Sequence, residues 1–511
     1  MALPTLKALG SDEGFTAGDI NTDGNVALIP AYQKMWVCDG SPATYYILDF
    51  INTKLTGVAS DVFSRGETMT QANSGAAGVF DETRSNYHYI YRTTSTEFDT
   101  TNLITGGTSG ETVTPTAVTA PPHWKTWITR LLASPATGTG LIANSTNFLP
   151  ASGSNIGCLF SGRVVLNIMD NPNQWLASRH RDPQDMQTGQ SDVGTPVSDQ
   201  TSNLGIVGAP IIAMVPYLSD YLHFGATDGI WTLRGDPGSG GQISNTSRKV
   251  GFFGPDSWAF DAGGNLFFMS MDGFYSLPAS SASVGNPPDN LTNVRVPNLI
   301  KSIGLNRRTD RVVMEYDKDR YGINVHISQN DSAYGVAFFW DLRANSLNPD
   351  SFLTNQIAAS MLYYDSRKAE TRGLLMCGQD GYIRKFDDDE KNDDGDVAID
   401  AYDTLGPFQA FNRMRRQGQI TEISPRLGDD SDGATMSVYA GNAAETVVNA
   451  AKNDDTPQSE HTLTGGGRRP AIRPRTIGAA FAIKVRNNTV GERFALEKVV
   501  VRLNDAGTVK D

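Results

Sequence analysis

Hydrophobic runs of four or five residues recur along this chain, and several are followed by a short polar turn containing Asp-Gly. Residues 221–225, 266–269 and 374–377 lead into Asp228-Gly229, Asp272-Gly273 and Asp380-Gly381, and residues 230–233, 274–277 and 382–386 come after them. A fourth copy, Cys38-Asp39-Gly40, follows Met35-Trp36-Val37. Asp-Gly between two apolar runs predicts a β-hairpin, because a type I′ turn needs positive φ at both central residues. The spacing carries more information than the turn itself. Asp228 and Asp272 are 44 residues apart, and Asp272 and Asp380 are 108 apart, two units of 54. A repeat of 40–50 residues holding several strands is the sequence pattern of propeller blades.

This rhythm gives six candidate units: residues 27–50, the alternating segment 86–93 with Tyr87, Tyr89 and Tyr91, residues 163–169 with the segment just after them, 210–233, 258–277, and 310–386. The last is long enough for two blades, so the expected count is six or seven. One stretch reads as helix: Trp124, Trp127, Ile128, Leu131 and Leu132 fall on an i, i+3, i+4, i+7, i+8 face between Pro121-Pro122 and Pro135. It lies in a Ser/Thr/Gly-rich insertion expected over about 94–155. After Asp403 the rhythm changes. Residues 435–439, 478–485 and 494–503 alternate as strands, with Phe481, Ile483 and Val485 facing one way and Lys484 and Arg486 the other. The predicted fold is therefore all-β: a β-propeller over 1–408 and a β-sandwich-like C-terminal domain over 409–511.

Composition agrees with a turn-rich β protein, with 51 Gly and 25 Pro among 511 residues. The formal net charge of −13 argues against a general nucleic-acid binder held by phosphate neutralisation. The charge is uneven: residues 410–511 hold 15 Lys/Arg against 12 Asp/Glu, a net of +3, and the preceding residues carry −16. Three cysteines, Cys38, Cys158 and Cys377, are too few and too dispersed for a disulfide framework or zinc site. The first ten residues lack an apolar signal-peptide core, and no run is long enough to form a spanning helix.

Few groups in the sequence suggest chemistry. Asp19-Ile20-Asn21-Thr22-Asp23-Gly24 begins like a calcium loop, but Pro30 stands where the bidentate Glu belongs, and an Asx-rich turn is expected instead. The acidic stretch 387–396, which includes Glu390-Lys391-Asn392-Asp393-Asp394-Gly395, has the same defect and reads as a solvated loop. The six histidines show no metal-ligand spacing. No nucleophile elbow, phosphate loop or zinc-protease motif is present. We expect no cofactor, no metal and no catalysis. The distinctive polar feature is arginine: Arg413, Arg415 and Arg416 near the domain junction, and Arg468, Arg469, Arg473 and Arg475 in a Gly/Pro-rich loop. Guanidinium forks suit acidic partner surfaces or phosphate, so these seven are the candidate interaction residues.

Larger segments suggest a family. Arg163-Val164-Val165-Leu166 through Asn171-Pro172-Asn173-Gln174-Trp175-Leu176-Ala177-Ser178 to Arg181-Asp182-Pro183 resembles a blade of phage tail propellers. The ending Phe224-Gly225 … Asp228-Gly229-Ile230-Trp231-Thr232-Leu233-Arg234-Gly235-Asp236 resembles the next blade of the same proteins. Residues 475–503, with Ala480-Phe481-Ala482-Ile483-Lys484, resemble the C-terminal domain. As a whole the chain resembles the tail nozzle (tail tubular protein B) and packaged-DNA stabilisation proteins of short-tailed bacteriophages, most clearly over 155–400. The resemblance implies a structural virion protein in the tail, made in the bacterial cytoplasm. It would form a homo-oligomeric ring, usually a hexamer, below the portal and adaptor, in contact with fibres or spikes. Genomic double-stranded DNA would pass through the lumen without specific binding, and an acidic lumen would favour sliding. The alternative is a propeller binding module that recognises a carbohydrate or receptor through exposed aromatics, for which Trp124 and Trp127 are the candidate cluster.

Overall fold

A computed structural model describes residues 9–508 except 58–62, 85, 132–141, 144–147, 190–191, 201, 219, 248, 279–287, 294–295, 297, 330–334, 351, 353–355, 387–391, 394–396, 411–415 and 469–470. The chain divides into two units, Met1–Lys385 and Phe386–Asp511. The division comes before Asp403 because the strand Ala401–Gln409 pairs with Ala480–Asn487 in the second unit.

The first unit is a β-propeller. Among the described residues six antiparallel blade sheets succeed one another, each with its strands in sequence order. Blade 1 is Ala27–Ala31, Lys34–Cys38, Tyr45–Asp49 and His123–Thr126; blade 2 is Gly157–Phe160, Arg163–Asn167, Trp175–Ala177 and Val197–Ser198. Blade 3 is Ala213–Tyr217, Tyr221–Gly225, Ile230–Arg234 and Gln242–Ser247; blade 4 is Trp258–Phe260, Leu266–Ser270, Gly273–Leu277 and Asp289–Asn290. Blade 5 is Asp310–Asp317, Gly322–Gln329, Gly335–Asp341 and Ser346–Asp350; blade 6 has three described strands, Ala358–Tyr364, Gly373–Gly378 and Ile383–Lys385. The sixth expected unit indeed holds two blades.

Face-to-face stacking explains why the inner strands are apolar throughout instead of alternating. Successive side chains of a strand point to opposite faces, and each face meets a neighbouring blade. In Leu266–Ser270, Leu266 and Phe268 pack against Val215 and Tyr217 of blade 3. Phe267 and Met269 turn the other way, toward Met314, Val325 and Trp340 of blade 5. Blade 2 repeats the arrangement, with Val164 and Leu166 against blade 1 and Val165 against blade 3.

Four expectations are corrected. The tyrosine-rich segment, Tyr87–Arg92, is not a blade strand. It lies in a seven-stranded sheet formed between the third and fourth strands of blade 1. The insertion therefore occupies residues 50–122, earlier than the 94–155 suggested by composition. The helix expected at 121–132 is absent among the described residues. His123–Thr126 closes blade 1 by pairing with Asp49 to Tyr46, and its tryptophans separate: Trp124 stacks on Tyr46 at 5.0 Å, whereas Trp127 lies edge-on to Trp36 at 4.7 Å. The free edge of Tyr45–Asp49 and two aromatic pockets outweigh a helical spacing. The Asp-Gly hairpins form, but not as type I′ turns, since Asp228, Gly229 and Asp272 all avoid positive φ. Paired positive φ occurs instead at Tyr32 (55°) and Gln33 (58°) in the first hairpin.

The second unit is a β-sandwich. One sheet runs Ala401–Gln409, Ala480–Asn487, Gly433–Gly441, Ser459–Thr464. The other centres on Arg416–Leu427, flanked by Leu496–Thr508 on one side and by Gly467–Arg468 and Thr476–Gly478 on the other. Ile420, Ile423 and Leu427 pack on Met436, Val438, Phe481, Ile483 and Val485. The outer face of the first sheet is also covered, because the helix Ala444–Lys452 places Val447 and Ala451 against Tyr439, Ala480 and Ala482. Lys484 is consequently buried on the polar face, where its Nζ donates to the Ala451 carbonyl at 3.2 Å and pairs with Asp454.

Candidate functional site

The structure does not gather the seven arginines into one site. Arg413, Arg415 and Arg469 lie outside the described residues, and only the backbone of Arg468 is described. Arg416 is tied to Asp505 on the neighbouring strand. Arg473 and Arg475 are exposed, and Arg475 holds a left-handed backbone with φ of 54°. The candidate calcium loop is an Asx turn: Asp19 accepts from the Thr16 amide at 2.8 Å and Asn21 from the Asp23 amide at 3.0 Å. Among the described residues no group of three or more His, Cys, Asp or Glu is placed to hold a metal. Residues 387–391 and 394–396 of the acidic stretch are not described. Cys38 and Cys158 are buried, and burial pushes both thiols up.

The concentrated polar feature is elsewhere, where blade 1 meets its inserted sheet. Lys125, on the closing strand, donates to Asp49 at 2.8 Å and to Glu82 at 2.5 Å, with all three side chains no more than 3% exposed. Lys34 lies 2.7 Å from Asp81 and 3.4 Å from Asp49. Asn52 donates to both Asp49 and Asp81. Burial pulls the Asp49 carboxyl upward, but Lys125 and Lys34 outweigh it and hold the group below its ordinary range. Arg65 then links the insertion to blade 2, at 3.3 Å from Asp81 and 2.9 Å from Asp182.

Above this lattice is a cleft of about 340 Å³, whose lining includes Tyr32, Lys34, Arg65, Asp81, Tyr91, Arg181 and Asp182. Its polar lining is tied into ion pairs, Lys34 and Arg65 with Asp81 and Arg65 with Asp182. Its rim carries two partly exposed tyrosines, Tyr32 at 38% and Tyr91 at 46%. Trp124 and Trp127, the expected aromatic cluster, are core residues. The sequence does carry a signal for the lattice: charges embedded in otherwise apolar strands, as in Lys34-Met35-Trp36-Val37, Tyr46-Ile47-Leu48-Asp49 and Trp124-Lys125-Thr126-Trp127. Arg163 is a second example. Fully buried at the start of its strand, it pairs with Asp236 at 2.9 Å and donates to the carbonyls of Ser178, Val193, Gly194 and Thr195.

Fold and site together define a β-propeller with an appended β-sandwich and a polar cleft beside its first blade. No family model and no curated protein matches the chain. Among solved structures it is similar to Kluyveromyces lactis Hsv2 at 8% identity and a TM-score of 0.25, covering 64% of this chain and 97% of that one. A Bacteroides thetaiotaomicron structural-genomics protein of unknown function matches at 9% identity and 0.26, covering 72% and 87%. Dihydro-heme d1 dehydrogenase NirN in complex with DHE matches at 11% and 0.24, covering 91% and 78%. Similarity at this level carries no functional argument.

Proposed function

We propose that this chain is a structural virion protein that assembles into the tail nozzle ring of a short-tailed phage and conducts genomic double-stranded DNA. The observation that supports this reading is a run of exposed apolar side chains in the sandwich unit. Val397, Ile399, Tyr402 and Phe408 are all at least 38% exposed within twelve consecutive residues, on or just before the sheet-edge strand Ala401–Gln409. Apolar side chains exposed on both faces of one edge strand, Tyr402 opposite Arg486 and Phe408 opposite Phe481, suit an edge that meets another chain. The edge is also blunted against open-ended strand pairing, by Pro407 and by a register shift between Leu405 and Phe408. Side-chain contact between copies in a closed ring suits both features. Immuno-electron microscopy of particles from the source culture tests the reading. Label confined to the neck or tail tip supports it, and unlabelled particles with soluble antigen refute it.

A second reading, a propeller that binds carbohydrate, draws on the Tyr32–Tyr91 cleft. It combines partly exposed aromatic rings with fixed carboxylates, the kind of lining that holds a polyhydroxylated ring.

A further inference from the structure

The cleft lining has three cations, Lys34, Arg65 and Arg181, against two carboxylates, Asp81 and Asp182. Two of the cations are committed. Lys34 serves Asp81 and Asp49, and Arg65 bridges Asp81 and Asp182. Arg181 is not. It is exposed, and no ion pair joins it to a carboxylate among the described residues. Its position is nevertheless fixed through the backbone: φ is +62°, and its amide donates to the Gly162 carbonyl at 2.8 Å. The Tyr32 hydroxyl donates to that same carbonyl at 2.6 Å, so rim tyrosine and rim arginine are held by one anchor. A non-glycine residue in the left-handed region is unusual and draws attention to function.

The balance of charge selects the ligand. One uncommitted guanidinium matches a monoanion. A phosphate dianion would leave its second charge unmatched, because Lys34 and Arg65 are already paired with Asp81 and Asp182. Asp182, which accepts from Arg65 and the Gln184 amide, keeps lone pairs that accept from hydroxyl groups, and Tyr91 offers an exposed ring. At about 340 Å³ the cleft is at the small end of ligand pockets, which run roughly 300–1,000 Å³, and suits one pyranose-sized residue.

The geometry points to a binding site for a carboxylate-bearing sugar residue, with Arg181 pairing the carboxylate, Asp182 accepting from a ring hydroxyl, and Tyr91 covering an apolar sugar face. This inference rests on the carbohydrate-binding reading and names its ligand class.

Calorimetric titration of the full chain with methyl glucuronide and methyl glucoside tests it. The glucuronide should bind about tenfold or more tightly, in keeping with a charge-assisted hydrogen bond. Arg181→Gly should abolish that preference at unchanged Tm, since glycine suits the positive φ. Tyr91→Ala should weaken both sugars. Equal affinity for both sugars, or a preference that survives Arg181→Gly, overturns the inference and leaves carbohydrate binding standing. Binding of neither sugar overturns both.

Discussion

Replacing Lys125 by Met keeps much of the side-chain volume and removes the cation from the blade 1 lattice. Asp49 and Glu82 would then stay buried without their shared partner. Breaking a buried pair from one side costs about 3–5 kcal/mol. The lower end applies here, because Asp49 retains Lys34 at 3.4 Å and Glu82 retains Arg84 at 2.9 Å. A loss of about 3 kcal/mol in a unit larger than 250 residues corresponds to a Tm decrease of roughly 3–6 °C, by extrapolation from smaller domains. Scanning calorimetry of the wild type, Lys125→Met and Lys125→Met/Glu82→Gln provides the assay. The double variant should recover part of the loss, since it removes one orphaned charge. The pH dependence has a fixed sign. A depressed carboxylate contributes stability above its unfolded pKa and loses it as pH falls through the folded value. The gap between wild type and Lys125→Met should therefore narrow below about pH 4. A Lys125→Met Tm within about 1 °C of wild type, or a double variant less stable than the single one, would falsify the claim that charge compensation holds this junction.

His223 is fully buried, and desolvation lowers its pKa to about 4. The unfolded chain then binds a proton that the fold refuses, so the contribution of His223 should be complete above about pH 6.5 and fall by about 3 kcal/mol on the way to pH 4, alongside losses of the same sign from His123 and His326. His223→Gln should flatten that part of a Tm-versus-pH curve. In the sandwich, Phe481→Ala should cost about 3–5 kcal/mol by urea titration, because its ring is fully buried between the sheets. For the ring reading, Tyr402→Asp/Phe408→Asp should shift native mass spectra from oligomer to monomer at unchanged Tm, and an oligomer that persists in this variant counts against the proposed contact.

Blade architecture is legible in the sequence because hairpins leave local marks: a turn signal between two apolar runs, repeated at regular intervals. The sandwich is legible for the same reason, through the alternation of Phe481, Lys484 and Val485. The errors arise where partners are distant in sequence. Nothing near Lys125 says that it pairs with Asp49, and Trp124 and Trp127 have a helical spacing that a free strand edge overrides. Tyr87–Arg92 has the hydrophobicity of a blade strand, and only its partners Asn52–Thr56 and Ala76–Arg84 show that it belongs to the insertion. The helix Ala444–Lys452 is rich in good helix formers, but the strand patterns on either side of it mask that signal. The cleft is out of reach for another reason. Its lining comes from Tyr32, Lys34 and Trp36 and from residues 51–52, 65–66, 79–81, 91 and 181–184, and no local pattern joins these segments.

The position of the insertion also has a consequence for synthesis. Three strands of blade 1 leave the ribosome before the insertion, and the fourth emerges only after all of residues 50–122. Until His123–Thr126 returns, the edge of Tyr45–Asp49 lacks its partner strand and Asp49 and Glu82 lack Lys125. The blade can close only once residues 50–122 have emerged, and the Lys125 contacts with Asp49 and Glu82 form only when insertion and closing strand are both in place. A chain stalled near residue 120 would expose an apolar strand edge next to two uncompensated carboxylates, a state suited to recognition by holdase chaperones and open to proteases. The first blade of the propeller is thus completed later than its place in the chain suggests.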